Sequence, residues 1–243
     1  MLYLYAFATA SAPLPKVIGL DNQPVQAIVH GSHAALVSYV EEPPTLASGK
    51  QAWMHERVVE AAMAQGTVVP VRFGTVLPDV VTVRRVLRSQ AKALAANQRR
   101  IAGCAELSLR VMASGNEPAP ARSSINPSPM SGTAYLQQRL AALRQEQDAE
   151  EQAGAVAVRL VEALKPHARA QTVQTQPSGQ LLLHAAFLVP HTELGTFVTL
   201  IERLQKQHPD LRLLCTGPWP PYHFVHLPAG AFPSPRIGAD LFC

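Results

Sequence analysis

Cysteine is nearly absent. Only Cys104, Cys215 and Cys243 occur in 243 residues, and they lie far apart with no C-x-x-C among them. Zinc-ribbon and thioredoxin-type sites are therefore not indicated, and a reducing cytoplasm is the expected setting. Charge is also low. Asp, Glu, Lys and Arg make up 16% of the chain, against roughly 25% in soluble domains. The formal net charge of +4 is too small to dictate a polyanionic partner. No run of 18 apolar residues is present, so no transmembrane helix is expected. The loops G-x-x-x-x-G-K-[ST], G-x-G-x-x-G and G-x-S-x-G are missing, which leaves phosphate cradling and serine hydrolysis without their usual supports. No repeat of 20–50 residues is visible, which excludes a solenoid or propeller reading.

Hydrophobic residues are plentiful, at 47%, and proline is frequent, with 21 residues. The apolar start Leu2-Tyr3-Leu4-Tyr5-Ala6-Phe7 lacks a basic segment before it, so it reads as a two-sided buried strand rather than a signal peptide. Val25–Val29 and Ala34–Val40 read as a hairpin around Gly31. A helix is predicted over 51–65 and a β-branched strand over 67–73. Pro70 in that strand demands an edge position or a bulge. The spacing of Val80, Val83, Leu87, Leu94 and Ile101 predicts an amphipathic helix over 79–102, with Arg84, Arg85, Arg88, Lys92, Arg99 and Arg100 on the opposite arc. A strand over 105–112 completes a first half of order β-β-β-α-β-α-β.

Residues 113–131 are rich in Pro, Ser and Gly and read as a linker. A long helix follows over 133–165, with a solvated middle or a break near Gly154. Then come strands at 172–176 and 181–189, a helix over 193–207 and a strand at 211–216. The fold class is α+β in two domains: an N-terminal domain over 1–112, and over 132–226 a C-terminal one that is ferredoxin-like with a long leading helix. A proline-containing tail covers 227–243.

Three constellations carry possible chemistry. His55 and Glu56 on a helix, with Arg72 at a strand end, suit either an acid/base site or a structural polar network. The pairs His30/His33 and His223/His226 resemble metal spacing but lack the third and fourth ligands. The basic arc of helix 79–102 is most simply a solvated face, and no aromatics interleave with it, so no nucleic-acid partner is expected. A further feature is Thr216-Gly217-Pro218-Trp219-Pro220-Pro221-Tyr222-His223-Phe224, where prolines stiffen an aromatic segment. With Phe232, Leu241 and Phe242 of the tail, the rings of Trp219, Tyr222 and Phe224 are candidate partner-binding residues, although Trp219 and Tyr222 could equally close a core.

The chain resembles the gas vesicle protein F/L family. The resemblance rests on Leu2–Phe7, on His55-Glu56-Arg57-Val58-Val59-Glu60-Ala61, and on Thr67-Val68-Val69-Pro70-Val71-Arg72-Phe73-Gly74-Thr75-Val76. It also rests on Gly132-Thr133-Ala134-Tyr135-Leu136 and on Thr216–Phe224. It implies a non-enzymatic, cofactor-free protein that binds the small hydrophobic shell protein and other co-encoded gas vesicle proteins, and that supports vesicle formation without a membrane. It also implies a structural rather than a catalytic role for His55, Glu56 and Arg72. The competing reading is an orphan α+β enzyme or ligand-binding module with its site near those three residues. Limited proteolysis of the intact protein is expected to cut first within 113–131, which buries little. First cleavage within Arg144–Gln152 would contradict that boundary.

Overall fold

The computed structural model describes residues 1–44, 49–114, 132–174, 181–228 and 232. It is an α+β protein with two compact units. One consists of Met1–Glu106 together with the chain from Pro218 onward, and the other of Leu107–Gly217. Apart from Ala113 and Ser114, the expected linker lies outside the described residues.

The first unit is organised around β1 (Leu2–Thr9). Its residues 2–8 are no more than 2% exposed, so both faces of this strand are covered, as the continuous apolar run predicts. The strand carries a bulge. Leu4 pairs with Val37 but Ala6 pairs with Leu36, leaving Tyr5 as the extra residue. The phase of the strand shifts there. Tyr3 before the bulge, Tyr5 within it and Ala6 and Ala8 after it join one cluster, with Val58, Val59 and Ala62 of α1 (Gly49–Met63). The Tyr5 hydroxyl accepts from the Leu20 N–H at 2.7 Å. Gly19 lies so close that an added Cβ would collide with the Tyr5 hydroxyl and Ser38 Oγ, so a side chain at this position would displace the tyrosine.

β2 (Gln26–His30) and β3 (His33–Tyr39) form the expected hairpin, with Gly31 at φ 59° in its two-residue turn. The sheet runs β2-β3-β1-β4, and β5 also pairs with β1. The strand predicted over 67–73 is not one strand. Within it only β4 (Val69–Pro70) is strand, and a second two-residue strand, β5 (Val76–Leu77), follows beyond the predicted span. Pro70 has no N–H for a further neighbour and sits at the sheet's edge. Beyond it the chain turns: the Val71 N–H donates to Tyr5 O at 3.0 Å and the Thr75 hydroxyl to Arg72 O at 2.8 Å. Gly74 supplies a φ of 88° in that turn. α2 (Val80–Ile101) starts at Asp79, whose carboxylate accepts from the Thr82 N–H at 2.7 Å, and packs against β2 and β3.

The second unit follows the order β6 (Cys104–Ala113), α3 (Gly132–Leu164), β7 (Ala170–Gln174), β8 (Leu181–Pro190), α4 (Leu194–Gln207), β9 (Leu211–Trp219). Its four-stranded sheet has the order β7-β8-β6-β9. β6, which the sequence pattern groups with the first half, is therefore an inner strand of the second sheet. Its neighbours β8 and β9 are distant in sequence, so no local periodicity could assign them. α3 continues through Gly154 without a break. Its last turns feed the core through Ala157, Leu160, Val161 and Leu164. Alternate residues of β8, Leu183, Ala185, Phe187 and Val189, meet Phe197 and Ile201 of α4 in the same cluster. The Phe187 and Phe197 rings lie 5.1 Å apart between centroids. Truncating Phe197 to Ala is expected to cost about 3–5 kcal/mol, read as a lower midpoint in urea unfolding with an unchanged slope.

Candidate functional site

His55 is fully buried, at 0% exposure, on the inner face of α1. Both ring nitrogens are engaged. Nδ1 lies 2.7 Å from the Tyr3 hydroxyl and Nε2 lies 3.1 Å from the Tyr222 hydroxyl. The Tyr222 hydroxyl donates to Glu56 Oε1 at 2.9 Å, so towards His55 its oxygen acts as acceptor. Nε2 then carries the proton and Nδ1 accepts from Tyr3. The Tyr3 oxygen in turn accepts from the Gly74 N–H at 3.2 Å. The donations run in one direction, from Gly74 through Tyr3, His55 and Tyr222 to Glu56, and they suit a neutral imidazole.

The electrostatics agree with a neutral ring. Burial pushes the His55 pKa down to about 4, with the Val71 backbone acting in the opposite sense. Burial also raises both phenols, and at Tyr222 the neighbouring Glu56 adds to the rise. Burial raises Glu56 against the lowering effect of the Tyr222 hydrogen bond. Tyr3 and Tyr222 thus stay protonated as donors across ordinary pH.

Two further anchors hold the closing segment to its own unit. Glu106 is 3% exposed, and its two oxygens face His223: Oε1 meets Nδ1 at 2.6 Å and Oε2 accepts from the His223 N–H at 3.0 Å. Asn97 is 1% exposed. Its amide donates to Ala93 O at 2.9 Å and to His226 O at 2.8 Å, and its carbonyl accepts from the His226 N–H at 2.9 Å. Backbone groups that would otherwise be left unpaired are satisfied by side chains here.

His55 and Glu56 are brought together through Tyr222. Arg72 is not part of this chain of hydrogen bonds; its side chain is exposed. The aromatic segment divides. Phe224 is buried and Tyr222 is half-buried, whereas Trp219 is 41% exposed. Phe232 stacks on Phe7 with centroids 6.3 Å apart. Leu241 and Phe242 lie outside the described residues. From Pro218 onward the closing segment, grouped by sequence with the second half, belongs to the first unit. Tyr3, Asn97 and Glu106 escape a sequence reading of the site. Asn97 carried a signal, being a polar residue on the apolar arc three positions after Leu94 and four before Ile101. His30 and His33 face each other at the turn of the β2–β3 hairpin, and no metal-ligand cluster occurs among the described residues.

Comparison with known proteins settles the family. Residues 1–226 match the family described as "Gas vesicle synthesis protein GvpL/GvpF". The chain belongs to this family. It is 33% identical to gas vesicle protein F of Streptomyces sp. (strain CB03234), covering 92% of this chain and 98% of that one. It is 28% identical to gas vesicle protein L of the same strain, covering 85% of each. The crystal structure of GvpF from Anabaena sp. PCC7120 shares the fold, with a TM-score of 0.73 at 24% identity over 93% of this chain and 96% of that one. No helix among the described residues is long and apolar enough to cross a membrane.

Two outcomes follow for this GvpL/GvpF chain. Because the folded His55 pKa lies below its unfolded value of about 6.5, the unfolded chain binds the proton first. The contribution of His55 to stability is therefore complete above about pH 6.5 and is lost as the pH falls towards 4. Between pH 7 and pH 5 the loss is about 2 kcal/mol, measured as the difference in urea unfolding between the parent protein and His55→Gln. Tyr222→Phe strands Nε2 of His55 and is expected to cost about 1–3 kcal/mol, seen as a lower thermal midpoint.

Proposed function

We propose that this protein is a non-enzymatic assembly factor, or minor component, of gas vesicles that binds the small hydrophobic shell protein. Family membership over residues 1–226 carries this reading. The use of the titratable cluster supports it. His55 has both nitrogens occupied and is neutral, and Glu56 accepts from Tyr222, an arrangement suited to holding segments together rather than to turnover. The orphan-enzyme reading draws on the same three residues and gains nothing from the exposed position of Arg72. The two compact units are read as separate domains. The strand order β7-β8-β6-β9 with helices in the first and second crossovers supports a ferredoxin-like second domain.

Trp219 is the accessible aromatic anchor of the closing segment, and tryptophan is over-represented among interface hot spots. The carboxy-terminal residues Leu241 and Phe242 remain candidate contacts on chemical grounds. Capture of each co-encoded vesicle protein by the tagged full-length chain tests the reading. Retention of the shell protein is expected, and Trp219→Ala is expected to weaken it while leaving the thermal midpoint within a few degrees. Undiminished capture by Trp219→Ala would move the interface elsewhere, and failure to capture the shell protein would overturn the proposed partner.

A further inference from the structure

Arg72 is the member of the predicted trio that the hydrogen-bond chain leaves out, and its surroundings give it a different use. A cavity of about 340 Å³ lies beside the Tyr222 ring, within the first unit. Val71, Val225, Leu227 and Phe232 supply apolar wall, Thr75 and Tyr222 supply hydroxyls, and Arg72 is the one charged residue among the described residues lining it. None of the described lining residues carries a carboxylate. Pro70 and Pro228 stiffen the two backbones that form its sides. The Thr75 hydroxyl on Arg72 O, together with the Val71 N–H on Tyr5 O, fixes the backbone that presents the guanidinium.

The volume is near the lower end of the range of about 300–1,000 Å³ for ligand cavities. It suits one large apolar side chain rather than a cofactor. A guanidinium matches a carboxylate in a paired, planar fashion that a hydrated lysine does not. We propose that this cavity receives an apolar side chain from an extended segment of a partner protein, with an adjacent Asp or Glu of that segment pairing with Arg72. The pairing of one cation with an apolar wall, and no acid among the described lining residues, is the complementarity that selects such a segment. The site would serve whichever vesicle protein supplies the segment, so it does not depend on capture of the shell protein.

The test uses the full-length chain and two fluorescein-labelled peptides read by anisotropy, one with two leucines followed by glutamate and one with glutamine in its place. The glutamate peptide is expected to bind about threefold more tightly, as one solvent-exposed ion pair would provide. Arg72→Gln should remove that preference while leaving the affinity for the glutamine peptide and the thermal midpoint unchanged, since the side chain is exposed. Leu227→Gln should weaken both peptides alike, and salt at about 0.5 M should erode only the preference. Equal affinities for the two peptides, a preference that survives Arg72→Gln, or no binding of either peptide would overturn the proposal. Binding seen only after removal of residues 233–243 would assign the cavity to the chain's own closing residues and would equally overturn a partner as its occupant.

Discussion

A buried imidazole with both nitrogens in use constrains the first unit more than any other single group. His55 is reached from β1 by Tyr3 and from the closing segment by Tyr222, 52 and 167 residues away in sequence. A fully satisfied polar chain in a low-dielectric interior specifies one arrangement, and each link polarises the next. Any break leaves a desolvated donor or acceptor, so the helix, the strand, the Gly74 turn and the closing segment hold their relative positions together. Protonating the ring would replace an acceptor at Nδ1 with a donor and oppose the direction of the whole chain.

The closing segment follows the same logic at two other points. Glu106 and Asn97 are buried polar residues within apolar stretches, and each satisfies both a backbone group and a second partner near the chain's return. The prolines of this segment restrict its backbone, and these side-chain contacts fix where it lies. The aromatic residues thereby acquire different duties: Phe224 fills space inside, Tyr222 relays a hydrogen bond, and Trp219 faces outward.

Much of the fold was legible in the sequence because the local pattern and the buried face coincide. Helix α2 follows from its apolar arc and its basic opposite face. β1 follows from an unbroken apolar run, although its bulge at Tyr5 does not, since a bulge changes register without changing composition. Where Pro70 interrupts a β-branched run, propensity and hydrogen-bonding capacity conflict, and the ladder's need for donors prevails by ending the strand at Pro70. The pairing of β6 with β8 and β9 was not legible, because strand pairing is non-local. For the site, His55 and Glu56 stand out by residue type and helix position. Their link to each other passes through a tyrosine that only the folded chain brings near, and the exposure of Arg72 depends on a turn that Gly74 and Thr75 create.

The chain leaves the first unit at Glu106 and returns to it at Pro218, so the second unit is a contiguous insertion within a discontinuous one. During synthesis at a few to some twenty residues per second, everything needed for the inserted unit emerges before the segment bearing Tyr222, His223 and His226. The first unit must therefore persist for many seconds with His55, Glu106 and Asn97 lacking their late partners. A truncated product ending before Tyr222 would carry an intact second core and an unsealed first one. The order of emergence thus separates finished chains from interrupted ones, since the late segment alone carries Tyr222, His223 and His226, which partner His55, Glu106 and Asn97.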